Sequence, residues 1–165
     1  MDRFMVNNIT RLLDTNKIPY QVFTLPVEKL GAIETARLLG VSPVLVYKTI
    51  VVTKLKPKKP ILAVIPGNCQ LDLKALAQLL DEKKISLPTE KEAETLTGLQ
   101  AGGISPLALV NKGFQVVIDS QAEGLQELHI SGGQRGLNIR LPVKDLLRLT
   151  RARLGRISQP IKTEE

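Results

Sequence analysis

The chain has 165 residues and carries 23 Lys and Arg against 16 Asp and Glu, a net charge of +7 and a pI near 9.7. A single domain of this length buries about 70% of its unfolded surface and needs no disulfide or metal staple. Its one cysteine, Cys69, excludes an intramolecular disulfide and a cysteine-cluster zinc site. No apolar run approaches the ~20 residues of a membrane span, and the charged opening stretch holds no signal-peptide core, so a reducing, cytoplasmic compartment is expected.

Val6, Ile9, Leu12 and Leu13 recur at helical spacing and predict an amphipathic helix over 6–15. Residues 18–23 alternate and predict a first strand. Residues 33–39 predict a short helix, with Gly40 where a left-handed C-terminal residue is wanted. Ser42-Pro43 opens a turn. The Val-, Ile- and Thr-rich stretch 47–53 predicts a strand. The polar turn Lys56-Pro57-Lys58-Lys59-Pro60 joins it to a second strand over 61–65, as a hairpin. Gly67-Asn68-Cys69-Gln70 reads as a turn. Asp72 is placed to cap a helix running to Leu80. A short strand over 84–87 precedes a helix from 89 or 90 to 96, which Gly98 ends.

The second half is β-rich, with strands expected over 115–119, 127–131 and 137–141. Pro142 suits the first turn of a last helix reaching Leu149. The polar tail, 157–165, is expected to fray. Strands mixed with five helices and adjacent strand pairs argue a mixed α/β (α+β) fold in one domain over 1–156.

The positive charge favours a nucleic acid or another polyanion as partner. Two Tyr, three Phe and no Trp exclude extensive base stacking of the single-strand-binding kind. Lys54, Lys56, Lys58 and Lys59 form a candidate RNA-phosphate patch at the hairpin tip.

Lys48 lies in an otherwise apolar strand and shares a side with Val46, Ile50 and Val52. It is either a cleft lysine that meets a phosphate or carbonyl, or a strand-end lysine that snorkels to water. Gly102-Gly103-Ile104-Ser105-Pro106 is too short for a phosphate loop of Walker or Rossmann type. It is either an ordinary loop or a turn whose bare N–H groups hold a carbonyl or oxyanion. Ser131-Gly132-Gly133-Gln134-Arg135-Gly136 joins two strands as a plain hairpin turn, or as a ligand loop with Ser131 and Arg135 as contacts. Asp119 ends a strand as a cap or a ligand contact. His129, the lone histidine, cannot build a His-rich metal site and reads first as structural. A Cys69–His129 dyad is conceivable, but nothing local activates Cys69.

In this order and spacing, Val46-Tyr47-Lys48-Thr49, Gln70-Leu71-Asp72-Leu73-Lys74, Thr97-Gly98 and the two glycine loops resemble the YbaK/ProX family of aminoacyl-tRNA deacylases, which is related to the inserted editing domain of bacterial prolyl-tRNA synthetases. The resemblance runs from the N-terminal helix to Leu149 and is closest to the branch that removes cysteine from proline tRNA. It implies a strongly curved, barrel-like mixed sheet flanked by helices. It also implies a pocket for the aminoacyl-adenosine end, with no metal and no cofactor. Lys48, Gly102 and Gly103 are the catalytic positions it implies. Of the substrate contacts, Pro106 matches the family's loop and Ser131 and Gly132 its pocket wall; Thr49, Ser105, Asp119, Gly133 and Arg135 are expected beside them.

The mechanism implied needs no protein nucleophile: the substrate's own thiol attacks its ester, a thiolactone leaves, and the protein supplies positioning and charge stabilisation. The partners implied are the tRNA acceptor end and, in a ternary complex, prolyl-tRNA synthetase. This chain departs from the family at Leu25, where a Tyr is frequent, at the shorter Leu30-Gly31 loop, and at Asn138, where an acid is frequent in that branch. The alternatives are a water-using deacylase of another small aminoacyl-tRNA such as Ala-tRNA(Pro), a non-catalytic module that binds tRNA or synthetase, and a small-molecule hydrolase.

Overall fold

The computed structural model describes residues 7–55 and 58–161. Val6 of the first expected helix, Lys56-Pro57 of the hairpin turn and residues 162–165 of the tail lie outside these. The first helix, α1 (Asn8–Thr15), starts where a reciprocal cap sets it: Asn7 Oδ1 accepts from the Thr10 N–H at 2.9 Å, and Thr10 Oγ1 accepts from the Asn7 N–H at 2.8 Å. Lys17 adopts a left-handed φ of 56° and turns the chain, so strand β1 (Gln21–Thr24) begins later than the alternation suggests. Helix α2 (Ala32–Leu39) ends at Gly40 with φ 70°.

Strands β2 (Tyr47–Lys54) and β3 (Ile61–Pro66) form the expected antiparallel hairpin, with Lys48 opposite Ile65. All of β3 is buried, as expected of a run with no polar residue. Leu62 and Val64 join one core with Tyr47, Val51 and Ile118, while Ile61, Ala63 and Ile65 join another with Val52, Leu76 and Val117. Strand β4 (Cys69–Leu71) follows, where a turn was expected; the turn itself is confined to Gly67 and Asn68. Helix α3 (Leu73–Leu80) is capped by Asp72, whose Oδ1 accepts from the Ala75 N–H at 3.0 Å. Strand β5 (Ile85–Ser86) leads to α4 (Glu90–Thr97), framed by a Thr89–Glu92 capping box and by Gly98 at φ 73°.

The remaining elements are β6 (Gln115–Asp119), β7 (Glu127–Ser131), β8 (Leu137–Pro142), α5 (Val143–Thr150), β9 (Arg153–Gly155) and β10 (Ser158–Pro160). Pro142 is the N-cap of α5 rather than a residue of its first turn. The mixed class holds, but the strands make separate sheets rather than one closed, barrel-like one. A five-stranded sheet runs β5-β2-β3-β6-β9, a three-stranded one β1-β8-β7, and a two-stranded one pairs β4 with β10. A single parallel bridge between Val46 and His129 links the two larger sheets at the start of β2.

The tail does not fray at 157–160. Ile157 is fully buried, and Ser158–Pro160 pair with β4. The buried Asp119 carboxylate organises this segment. Its Oδ2 accepts from the Ile157 N–H at 3.1 Å and the Ser158 hydroxyl at 2.7 Å, and its Oδ1 accepts from the Gln121 N–H at 2.9 Å. Removing an acceptor from buried donors costs about 1–3 kcal/mol for each donor stranded. Asp119→Ala is therefore expected to lower stability by about 2–4 kcal/mol, read as a lower urea midpoint at unchanged slope. An unshifted midpoint would remove Asp119 as the anchor of this segment.

Candidate active site

The start of β2, the start of α2, the Gly102 loop and the β7–β8 turn surround an open cavity of about 260 Å³. Strand alternation turns Lys48 to the side of Ile50 and Val52, and Tyr47 and Thr49 to the other; because the cavity sits at the strand's end, all three reach it. Lys48 is half-buried. Its Nζ donates to the Gly67 carbonyl at 3.3 Å, and among the described residues it forms no salt bridge. Burial pushes its pKa below the ordinary lysine value, with the nearby Cys69 acting the other way. A cation held so has charge left for an anionic ligand.

Gly67 makes this placement possible. A Cβ there would lie 2.9 Å from the Ala32 Cβ and 2.9 Å from the Val46 carbonyl, so only glycine lets its carbonyl approach Lys48 along this path. Two of the lining residues carry a hydroxyl with no partner: the Tyr47 OH and Thr49 Oγ1 are both buried without a hydrogen bond among the described residues. Burial pushes the Tyr47 phenol well above its ordinary pKa, and the charges of Asp119 and then Cys69 push it the same way. It stays a neutral donor. A buried polar atom left unpaired is costly enough that it calls for a ligand atom or water.

The two glycine loops are clasped together. Arg135 Nε donates to the Ala101 carbonyl at 2.7 Å, and a Cβ on Gly103 would come within 2.7 Å of the Gln134 Cα. Gly102, at φ 90°, is exposed at the cavity, and its N–H has no acceptor among the described residues. Ser105 and Pro106 are buried beneath it, where Ser105 Oγ caps the 3-10 turn Pro106–Leu109. Across the cavity, Ser131 Oγ accepts from the Gly133 N–H at 3.3 Å and has no basic partner among the described residues, so it is a wall group rather than an activated nucleophile.

Of the residues singled out in the sequence, Lys48, Thr49, Gly102 and Ser131 line the cavity. Gly103, Arg135 and Gly132 shape the loops behind it; Gly132 donates its N–H to the Leu137 carbonyl at 2.9 Å. Gly133, at φ 89°, packs against Ile9. Asp119 does not line the cavity and spends its oxygens on the C-terminal segment. Cys69 is buried outside the lining.

Tyr47 and Gly67 were missed as site residues. Tyr47 read as a strand former, and the contact that makes Gly67 matter is a tertiary one. His129 also proves more specific than a generic structural residue. It is buried, its Nδ1 lies 2.8 Å from Asn138 Oδ1, and its ring packs against Phe23 at 5.3 Å. Burial pushes its pKa down. It therefore sits as a neutral donor that fixes the side chain of Asn138, a lining residue.

Leu25, Leu30 and Gly31, the other departures, line the same cavity. This arrangement polarises a carbonyl or holds an anion. It supplies a cation and an N–H without an acceptor, with no nucleophile–base pair among the described lining residues.

Comparison with known proteins agrees with this geometry. Residues 28–149 match the aminoacyl-tRNA editing domain. The chain is 33% identical over 153 residues to EbsC of Enterococcus faecalis (strain ATCC 700802 / V583), a candidate Cys-tRNA(Pro)/Cys-tRNA(Cys) deacylase, covering 92% of each. Its fold superposes with a TM-score of 0.78 on a candidate trans-editing enzyme for prolyl tRNA synthetase, at 25% identity over 93% of this chain and 99% of that one. A hypothetical protein, APE2540, shares the fold with a TM-score of 0.83 at 22% identity, covering 93% of this chain and 100% of that one. No helix among the described residues is long and apolar enough to cross a membrane. With its cavity, loops and matched span together, the chain belongs to the aminoacyl-tRNA editing domain family and is an aminoacyl-tRNA deacylase.

Proposed function

We propose that this deacylase acts in trans in the cytoplasm and removes cysteine mischarged on proline tRNA. One observation carries the reading: Lys48, Gly102, Tyr47 and Thr49 line one small cavity that offers no activated protein nucleophile among the described residues. The substrate's own thiol then becomes the nucleophile. Its sulfur bonds to the ester carbonyl carbon, and the bond from that carbon to the ribose oxygen breaks. The thiol proton ends on the ribose hydroxyl, and a cyclic thiolactone leaves free tRNA behind.

The negative charge that gathers on the carbonyl oxygen is met by Lys48 and the Gly102 N–H, while Thr49 and Ser131 orient the ester. Gly103, Ser105, Pro106, Gly132, Gly133 and Arg135 hold the loops at this spacing. The likeness to EbsC and to the trans-editing enzyme supports cysteine and proline tRNA as the pair. In this reading the tRNA is presented in a complex with prolyl-tRNA synthetase. The small cavity also suits alanine. Turnover of Ala-tRNA(Pro) in place of Cys-tRNA(Pro) would transfer the chemistry to an attacking water.

Loss of one oxyanion donor costs about 10²–10³-fold in rate. Lys48→Ala should lose at least that much in deacylation of Cys-tRNA(Pro) with an unchanged circular dichroism spectrum; retained turnover would dismiss the lysine's role. The protonated lysine is the active form. Its lowered pKa should therefore end activity on the alkaline side earlier than an ordinary lysine would, after a rising limb set by the substrate thiol. In a pH series corrected for spontaneous hydrolysis, a falling limb that survives in Lys48→Arg at the same pH would contradict this assignment.

Cys69→Ala should change turnover less than about twofold, within the range of a non-participating residue. A large loss would point to a protein thiol. Thr49→Val removes an unpaired buried hydroxyl and should raise stability by about 1 kcal/mol while raising KM for the aminoacyl-tRNA. A variant both destabilised and fully active would mean that the hydroxyl serves the fold.

A further inference from the structure

We infer that the end of the five-stranded sheet opposite the cavity is a phosphate-binding face that holds the duplex part of the aminoacyl-tRNA, an inference that rests on the deacylase reading above. The topology collects the bases. β3, β6 and β9 are parallel, and β2 and β5 pair so that the end of β2 and the start of β5 lie at the same end as the starts of the other three. Lys83 and Lys84 precede β5, and Lys58 and Lys59 precede β3. Lys112 precedes β6, Arg151 precedes β9, and Arg153 opens it. All of these are exposed.

The depressions at this end bring few acids. One is lined by Lys54, Lys58, Lys83 and Lys84 with Asp81 and Glu82; the other, lined by Arg151 and Arg153, has no acid among the described residues. Glu82 is engaged by Lys54 at 3.5 Å, and Lys54 also donates to Gln115 Oε1 at 2.9 Å. The exposed bases of the row form no salt bridge among the described residues. Unpaired bases aligned across a sheet end match a regular line of phosphates better than a compact acidic ligand.

Distance assigns the part of the RNA. Lys48 and Lys54 lie near the two ends of the same strand, six steps apart, about 20 Å at ~3.3 Å per residue. With the aminoacyl ester at Lys48, the unpaired 3′ end spans the interval and the paired stem meets the basic end. Lys59, over the Phe114 ring at 5.1 Å, is fixed in place for such a contact.

The test is a fourfold variant, Lys58→Gln, Lys84→Gln, Lys112→Gln and Arg153→Gln. A charge-matched control carries Lys17→Gln, Lys74→Gln, Lys91→Gln and Lys144→Gln. Binding of uncharged tRNA is followed by fluorescence anisotropy across a salt series, and turnover is measured on a short aminoacylated 3′-terminal fragment. The fourfold variant should bind tRNA at least about tenfold more weakly. Its log–log salt slope should be shallower by about 0.9 for each phosphate that is no longer neutralised, with fragment turnover unchanged.

Equal weakening in the control would reduce the effect to net charge and overturn the inference. Unchanged tRNA affinity would also overturn it. Row-dependent tRNA binding by a wild type that deacylates nothing would leave the face standing and sink the proposed function, so the two fail separately.

Discussion

A lysine taken half out of water with a carbonyl as its protein partner is the constraint around which this fold is arranged. Burial disfavours the charged ammonium, and the usual remedy, a buried carboxylate alongside, is absent among the described residues. The structure compensates elsewhere. β3, buried along its whole length, fixes β2 through the register that sets Lys48 opposite Ile65. Gly67 brings a carbonyl dipole to Nζ where any side chain would collide with Ala32 and Val46. The apolar cores on both faces of the hairpin provide the stability against which a poorly solvated cation is tolerated. The unpaired hydroxyls of Tyr47 and Thr49 belong to the same compromise: buried without partners among the described residues, they make this region less stable than apolar isosteres would.

The remaining walls are held by contacts between segments far apart in sequence. The single bridge from Val46 to His129 brings the three-stranded sheet to the start of β2. The same histidine fixes Asn138 from beneath, so one residue both joins the sheets and sets a lining group. The clasp of Arg135 on the Ala101 carbonyl holds the two glycine loops at a separation their own sequences do not specify. A glycine loop presents its N–H groups in fixed directions only when something holds it, and here the neighbouring loop does so.

Local chemistry made much of this readable in advance. Asp72 caps its helix, and Gly40 and Gly98 end theirs in the left-handed region, because such signals act over three or four residues. The hairpin of β2 and β3 follows from β-branched runs with a polar turn between them. Lys48 was conspicuous because a lysine contradicts that pattern. What stayed hidden depends on distant partners. β4, β9 and β10 are three residues each, too short for periodicity, and form because Asp119 and the β4 edge receive them. Asp119 was marked as a cap or a ligand contact, and only the path of residues 157–160 shows what its oxygens meet. Arg135 drew notice as an anion contact from its place in a glycine loop; its bond to Ala101 is invisible without the fold.

The two ends of β2 show that environment, rather than residue type, assigns a lysine its work. Lys48 and Lys54 have the same side chain on the same strand and the same face, by alternation. At one end the neighbours are a carbonyl and a thiol, and the charge is left for a ligand. At the other, Glu82 and Gln115 occupy the ammonium and make it a brace between strands, while the exposed lysines around it form no salt bridge among the described residues. A net positive charge read from composition is silent about this division. It becomes informative only once the topology separates the cations that the fold consumes from those it leaves to face solvent.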